Sequence, residues 1–514
     1  MIAASSLGAV FEWYDFFIYG TLAGLFGKLF FPSSSPTTGF LLALATFGVG
    51  FAVRPIGAVI FGALGDRLGR KYTFIVTITL MGIATAAIGA LPTFDSIGVA
   101  APILLVSLRA LQGFALGGEY GGASIYVAEH APPNRRGIYT GFTQASAPGG
   151  LILSLLVSQG TVFFIGEDSW EAWGWRIPFL VSLLLLGVSL WMRFKLAESP
   201  VFVAMKAAGA TSRAPLRESF GSWAKTGRIL AALFGISAGQ AVIGYTALFQ
   251  AMLFLQHALR VEPTVARCIA IVAACVGVGC YLLCASLSDR VGRKKPIVVG
   301  YVLAILLLFP IFHFMARQAN PALTRAIADS PIVVTGSQCS YNPFASKGQA
   351  TACGQLMDLL SKKGVAYSTV TGSKGAAPTV TIGRTMVDPA DSADLTAKLR
   401  GAGYLSENVT PPLSNSILIV LAIIALYALT ALAYGSMAAW LVELFPARVR
   451  YTSLSIPYHF GVGYAGGFLP FISQYIVAKT GDPFAGLWYV IGVTTLALLV
   501  TVFYLPETAG NRLD

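Results

Sequence analysis

Apolar stretches long enough to cross a bilayer recur along this 514-residue chain, near 6–30, 39–63, 72–92, 99–128, 138–164, 176–195, 228–256, 264–287, 296–316, 415–442, 452–478 and 485–505. Roughly 20 helical residues span the hydrocarbon core, and lipid offers no partner to a bare peptide group. Each stretch therefore predicts a transmembrane helix. The apolar start, residues 2–31, is too long for a signal-peptide core and no small-residue cleavage site follows it, so it reads as the first span.

The polar intervals alternate in charge. Arg67, Arg70 and Lys71 follow helix 2, and Arg135 and Arg136 follow helix 4. The connection between helices 6 and 7 carries Arg193, Lys195, Lys206, Arg213, Arg217, Lys225 and Arg228. Arg290, Arg293, Lys294 and Lys295 follow helix 8, and Arg448 and Arg450 follow helix 10. The opposite short loops hold few, such as Arg176 and Lys479. Positive charge collects on the cytoplasmic side, which puts both termini and the 6–7 loop in the cytoplasm of a bacterial inner membrane.

One interval breaks the rhythm. Residues 318–413 are polar and rich in Gly, Ser and Thr, and fall on the outer side. Apolar runs at 332–334 and 379–382 suggest strands, and 356–362 and 393–399 suggest short helices, a small α/β unit with a structureless loop as the alternative. Its only cysteines are Cys339 and Cys353. In an oxidising compartment they would close a short loop by a disulfide worth about 3 kcal/mol. Cys268, Cys275, Cys280 and Cys284 lie in one apolar stretch without a CxxC pair. They read as buried small apolar residues, and no metal site is expected.

Composition agrees with lipid as the main solvent. Hydrophobic residues make up 55% and charged residues 11%, against about 25% charged in ordinary soluble domains. The formal charge of +12 sits in alternate loops, a topology signal that argues against a nucleic-acid partner.

The chain repeats itself. Asp66-Arg67-Leu68-Gly69-Arg70-Lys71 returns as Asp289-Arg290-Val291-Gly292-Arg293-Lys294, and Glu129, Pro132 and Arg136 return as Glu443, Pro446 and Arg450. The first pair of copies lies 223 positions apart and the second 314, so the second half holds the 318–413 insertion. The expected fold is an all-α membrane protein with twelve transmembrane helices in two pseudo-symmetric six-helix bundles and a small α/β extracytoplasmic insertion. Its parts are an N-terminal bundle over 1–199, a cytoplasmic linker over 200–227, helices 7–9 over 228–317, the insertion over 318–413, and helices 10–12 with a short tail over 414–514.

Two such halves suggest a secondary transporter with its site near the midplane, where buried charge is costly and needs a reason. Glu12 and Asp15 share one face of helix 1, with Asp15 about 21 Å along the helix from residue 1. Two carboxyls that close in a low dielectric make a proton carrier, with a static ion pair as the alternative. Arg54 lies about 18 Å from Asp66, deep enough to hold a substrate carboxylate in a bidentate fork or to pair with Glu12 or Asp15. Helix 4 carries Arg109, Gln112 and Glu119, read as a structural pair with other helices or as part of the proton and substrate path. His459 in helix 11 is a proton-relay candidate that could equally be a packing residue. Gln144, Gln240 and Tyr245 could line a cavity or bond neighbouring helices. At the cytoplasmic face, Asp66, Arg70, Glu129 and Arg136 would form one charge cluster and Asp289, Arg293, Glu443 and Arg450 its twin, a latch that releases on switching.

These residues resemble the major facilitator superfamily. Gly62-x-x-x-Asp66-Arg67-x-Gly69-Arg70-Lys71 is similar to its loop 2–3 motif, with Ala285 in place of the leading glycine in the second copy, and Arg109-x-x-Gln112-Gly113 is similar to its helix 4 motif. A narrower resemblance is to the metabolite:H⁺ symporter family. It rests on Glu12-Trp13-Tyr14-Asp15-Phe16, Arg54-Pro55-Ile56-Gly57, Gly117-Gly118-Glu119, Trp173-Gly174-Trp175-Arg176-Ile177-Pro178-Phe179, Glu198-Ser199-Pro200, and Glu443-Leu444-Phe445-Pro446 through Arg450-Tyr451-Thr452. It covers nearly all of the chain outside 318–413. The resemblance implies proton-driven uptake of organic acids or zwitterions by a functional monomer, with no cofactor beyond the proton gradient. No GxxxxGK[ST] loop appears, which argues against an ATPase, and no nucleophile–base constellation argues for an enzyme. The rivals are a sugar or drug carrier of the same fold and, more remotely, a carrier-like sensor.

Overall fold

The computed structural model describes residues 2–32, 35–68, 70–194, 214–345, 348–373, 376–387, 392–404, 407–511 and 513. Its helical spans are α1 (Ile2–Thr21, resuming as Ala23–Phe30), α2 (Pro36–Ala52 and Arg54–Leu68), α3 (Arg70–Ala90), α4 (Ala100–Leu116 and Tyr120–His130), α5 (Arg136–Gln144 and Ser146–Ile165) and α6 (Arg176–Phe194). The second half supplies α7 (Trp223–Ala258), α8 (Pro263–Val291), α9 (Lys294–Ala319), α10 (Leu413–Leu444), α11 (Arg450–Phe460, Gly461–Gly467 and Leu469–Thr480) and α12 (Leu487–Tyr504). Among the described residues, eight helices are individually long and apolar enough to span, or nine if the bent pair leading into α6 is one span. The others are interrupted, as α1 is at Leu22, or hold a shorter apolar run, as α3 does over Ile75–Ala90.

The breaks are concentrated in helices that face the bundle interior. Among these, α7 carries π-helical turns at Ala232–Ala238, Thr246–Gln250 and Phe254–Ala258, and α11 carries one at Gly461–Gly467. Such turns leave backbone groups to be satisfied by neighbours and recur at functional sites. Bulky apolar side chains such as Phe163, Phe164, Leu283 and Phe503 point outward, as a lipid-facing surface requires. Cys268 and Cys275 are also exposed. This corrects their expected burial: a small apolar thiol is as well placed against lipid as in a protein core.

The halves meet along two pairs of helices, α2 with α11 and α5 with α8. In a duplicated fold α2 corresponds to α8 and α5 to α11, so the two seams are symmetry mates. Within the first half, α2 and α4 approach backbone to backbone. A β-carbon on Gly113 would collide with the backbone of Gly50, and one on Gly117 with the carbonyl of Arg54. Glycine at these positions therefore sets the depth at which Arg54 is held.

Between α9 and α10 the chain forms a small unit of its own. Helix Pro321–Asp329 leads to β1 (Ile332–Gly336), helix Ala352–Lys362, β2 (Ser368–Thr371), β3 (Thr379–Ile382), β4 (Thr385–Val387) and helix Ser392–Gly401. The sheet order is β2-β1-β3-β4, with β1 parallel to β2 and antiparallel to β3. Val334, Leu360, Val380 and Leu395 lie in its separate core, and a disulfide joins Cys339 to Cys353. β2 escaped the sequence reading because it is a Ser/Thr-rich strand exposed at all four positions.

Candidate functional site

Two cavities and a barrier between them lie along the seam. The central cavity, about 20 Å³, is lined by Glu12, Trp13, Arg54, Tyr120, Tyr458 and His459, with smaller neighbours. It has room for little more than one water molecule. The larger cavity, about 860 Å³, lies toward the insertion, where Gly24 and Gly27 of α1, His257 of α7 and Tyr367 of the insertion face it. From Glu12 to Gly24 is about 18 Å along α1. The interval is filled by rings from both halves: Phe17 lies 5.1 Å from Phe249, Phe47 lies 5.3 Å from Phe249, and Phe51 lies 5.3 Å from Tyr245, centroid to centroid.

Arg54 is 1% exposed. Its guanidinium lies over Phe51 at 3.9 Å, Phe16 at 4.3 Å and Trp13 at 5.5 Å. Its Nε and Nη2 have no hydrogen-bond partner. Those two donors share the edge of the guanidinium that grips a carboxylate side-on. Ring faces attract the cation but do not satisfy its N–H groups. His459 is buried, both its ring nitrogens lack partners, and it packs edge-on to Tyr458. Tyr458 in turn stacks on Tyr120 of the opposite half at 3.5 Å. Asp15 is buried with Oδ1 unpartnered, away from the central lining. Glu119 is buried at the break in α4, one residue before Tyr120.

Arg109 and Gln112 go elsewhere. Arg109 is fully buried and donates Nη1 to Gln112 Oε1 at 2.7 Å, with longer bonds to the carbonyls of Phe16 and Phe47. Gln112 donates to Thr85 Oγ1 at 2.7 Å. Neither lines the two cavities, and together they tie α1, α2, α3 and α4, with Arg109 Nε left unpartnered. Gln144 accepts from Tyr120 and donates to the carbonyl of Tyr434, a bond between halves. Gln240 bonds the carbonyl of Ser237 in its own helix, and Tyr245 belongs to the ring barrier, its hydroxyl unpartnered.

The charged residues of the repeated motifs gather at the end of the molecule opposite the insertion. Glu443 receives Arg293 side-on, Nη2 at 3.0 Å and Nε at 3.2 Å. Arg136 of the first half stands 3.6 Å from Glu443, and Arg450 stands 3.3 Å from Glu129, so these two pairs cross the seam. Asp289 binds Arg293 at 2.7 Å and also accepts the N–H groups of Gly137 and Ile138 at 2.7 and 2.9 Å. A carboxylate from α8 thus caps the N-terminus of α5 across the interface, where the helix dipole favours it. Asp289, Arg293 and Glu443 cluster within the second half as expected, and Arg136 and Glu129 in addition reach across the seam to Glu443 and Arg450, because closure apposes the copies. The side chains of Asp66 and Arg70 lie outside the described residues.

The segment after α12 joins this network, and sequence reasoning missed it. Thr508 donates to Glu443 at 2.9 Å, and the carbonyl of Asn511 accepts from Arg136 at 2.6 Å. Glu507 accepts the N–H groups of Arg293 and Lys294, which open α9, at 2.8 and 3.0 Å. Partial burial pushes the Glu507 carboxyl up, but four backbone donors together outweigh it and hold it below the usual glutamate value. The one available signal was Glu507 standing just past an apolar span in a tail otherwise poor in acids.

The arrangement is a two-bundle carrier with a central chamber, a ring barrier on one side and a charge latch on the other. Residues 1–228 match the family described as sugar (and other) transporter. The shikimate transporter of Escherichia coli (strain K12) is 40% identical over 329 residues, covering 61% of this chain and 72% of that protein. The proline/betaine transporter of the same organism is 37% identical over 318 residues, covering 60% and 63%. The solved proton:xylose symporter XylE, bound to 6-bromo-6-deoxy-D-glucose, superposes with a TM-score of 0.63 at 18% identity over 100% of this chain and 96% of its own, a likeness of fold. This chain belongs to the major facilitator superfamily, among its sugar and metabolite transporters. It is a multi-pass membrane transporter and not an enzyme.

Proposed function

We propose that this protein is a proton-coupled symporter that takes up a small organic acid or zwitterionic metabolite across the bacterial inner membrane by alternating access. The latch end and both termini face the cytoplasm, and the insertion faces outward, where an oxidising medium keeps Cys339–Cys353 closed. The protein works as a monomer and needs no cofactor beyond the proton gradient.

The observation that carries this reading is Arg54. A buried guanidinium held among rings, with two adjacent donors unpartnered, is costly unless an anion completes it during the cycle. The substrate carboxylate takes the Nε–Nη2 edge, and Trp13, Tyr120 and Tyr458 close on the rest of the molecule. The proton is carried among Glu12, Asp15, Glu119 and His459, whose charge state biases which end is closed. A passive sugar carrier gives such a cation nothing to meet. The cytoplasmic pairs Arg136–Glu443 and Glu129–Arg450 break when the latch end opens.

The test is uptake into reconstituted vesicles under an imposed inward proton gradient, with radiolabelled shikimate, glycine betaine and xylose offered separately. Shikimate or betaine accumulates, and the accumulation disappears when the gradient is collapsed. Arg54→Gln lowers uptake of the carboxylate substrate on the order of 100-fold, about two lost charge-assisted hydrogen bonds. Uptake of xylose alone, or uptake indifferent to the gradient, rejects the proposal.

A further inference from the structure

The 860 Å³ chamber under the insertion is separated from Arg54 by the ring barrier and has its own chemistry. We propose that it is a second binding site, a capture site for an organic anion that carries an apolar ring. This rests on the reading of the transported substrate as an organic acid.

Its lining includes Lys28, Arg317, His257 and His313, and no Asp or Glu among the described residues. Lys28 shares an exposed ion pair with Glu171, which lies outside the lining. Arg317 makes no ion pair within 4 Å among the described residues, so its charge, with that of Lys28, is open to an anion in the chamber. The walls are rings: His257 lies tilted against Phe40 at 4.3 Å between centroids, and His313 stacks on Phe484 at 4.1 Å. A cation set in low-dielectric walls concentrates anions, and flat faces accept a flat or puckered ring. The volume falls in the range of small-molecule sites.

The insertion supplies part of this lining and fixes how the chamber opens. Its ties to the second half include backbone bonds, Glu262 N to Val409 O at 3.0 Å, Val409 N to Arg260 O at 2.8 Å and Tyr367 N to Gly481 O at 3.1 Å, and the Arg260 guanidinium donating to the carbonyl of Lys363 at 2.8 Å. To the first half it is held by hydroxyl contacts, Thr37 with Ser361 at 3.3 Å and Thr38 with the carbonyl of Pro343. The roof therefore rides on the second half and parts from α2 along the threonine seam, which admits ligand from outside to a site one barrier above Arg54.

The test is equilibrium binding of radiolabelled benzoate to the purified full-length protein. In the Arg54→Gln protein, with the central cation gone, a saturable benzoate site remains. Adding Arg317→Gln weakens it by about tenfold, a factor equal to about 1.4 kcal/mol. Acetate and benzyl alcohol, which lack the ring or the charge, compete poorly. Arg317→Gln in the native background weakens the same component by the same factor, which covers the case of an Arg54→Gln protein that does not fold. Absence of saturable binding in a folded Arg54→Gln protein, or binding that ignores Arg317→Gln, overturns the capture site and leaves the central reading standing. Gradient-driven uptake that survives Arg54→Gln sinks the central reading and leaves the benzoate result untouched.

Discussion

The latch and the central chamber are both buried and both charged, yet they settle their charges in opposite ways. At the latch, Glu443 meets Arg293 side-on, Arg136 across the seam and the Thr508 hydroxyl, and Asp289 meets Arg293 and two peptide N–H groups. In the chamber, Arg54 keeps two donors unpartnered and His459 both nitrogens, and Asp15, buried outside the lining, keeps one oxygen. A buried charge that is paired with a carboxylate holds a conformation, even where one donor, Arg136 Nε, is left over. One left unmet costs stability in the resting state and is retained because something else completes it. The difference separates residues that set the shape of the closed state from residues that wait for ligand or proton.

The widest gap between the two regions is expected on truncation. Glu443→Leu strands Arg293 and Arg136 in a buried setting and costs about 3–5 kcal/mol, read as a lowered melting temperature of the purified protein. The double change Glu443→Leu with Arg293→Met recovers part of that loss, since Arg293 no longer faces the site without its carboxylate, although Arg136 still lacks Glu443 and Asp289 loses Arg293. Arg54→Met acts in reverse: it removes an unmet cation from among Trp13, Phe16 and Phe51, so the protein melts no lower than native while carboxylate uptake falls on the order of 100-fold. If Arg54→Met and Glu443→Leu destabilise alike, Arg54 is a structural residue and the contrast collapses.

Much of this was legible in the chain. Lipid forces the backbone into helices of a known length, so the spans could be counted. The deep placement of Arg54 followed from counting residues back from Asp66. Strands near 332 and 379 and the helices near 356 and 393 were readable because their apolar positions alternate or repeat. Partners between elements were not legible. Whether Arg136 turns to its own half or to Glu443 depends on how far one bundle is rotated against the other, and helix periodicity says nothing of that angle. Arg109 illustrates the same limit, since depth in a helix does not reveal which neighbour's carbonyls it meets. The roof over the outer chamber needed the insertion's placement, fixed by single backbone bonds such as Tyr367 to Gly481.

A smaller effect sharpens the chamber side. Asp15→Asn keeps the shape of a side chain whose Oδ1 has no partner, so the melting temperature stays close to native. Uptake in vesicles should persist down a substrate gradient but no longer rise with an imposed proton gradient. A variant that still follows the gradient moves coupling to Glu12, Glu119 or His459, and these would be replaced singly in the same assay.

The smallest expected effect tests the latch side through pH. Glu507 caps the start of α9 and is held below its ordinary value of 4.5 by the donors that meet its charged form. A carboxyl lowered on folding contributes stability that is fully present above its unfolded value and is lost as pH falls through its folded value. Thermal melting of the native protein should therefore be unaffected by this group from neutral pH down to about 5 and should decline in more acid solution. Glu507→Gln removes that component, so its melting temperature is lower at neutral pH and the two curves converge in acid. The other carboxylates of the latch are common to both proteins and cancel in the difference. Because Glu507 is largely open to solvent, the separation at neutral pH is small. Curves that stay parallel from neutral to acid would show that the charge of Glu507 adds nothing to the latch beyond its hydrogen-bonding shape.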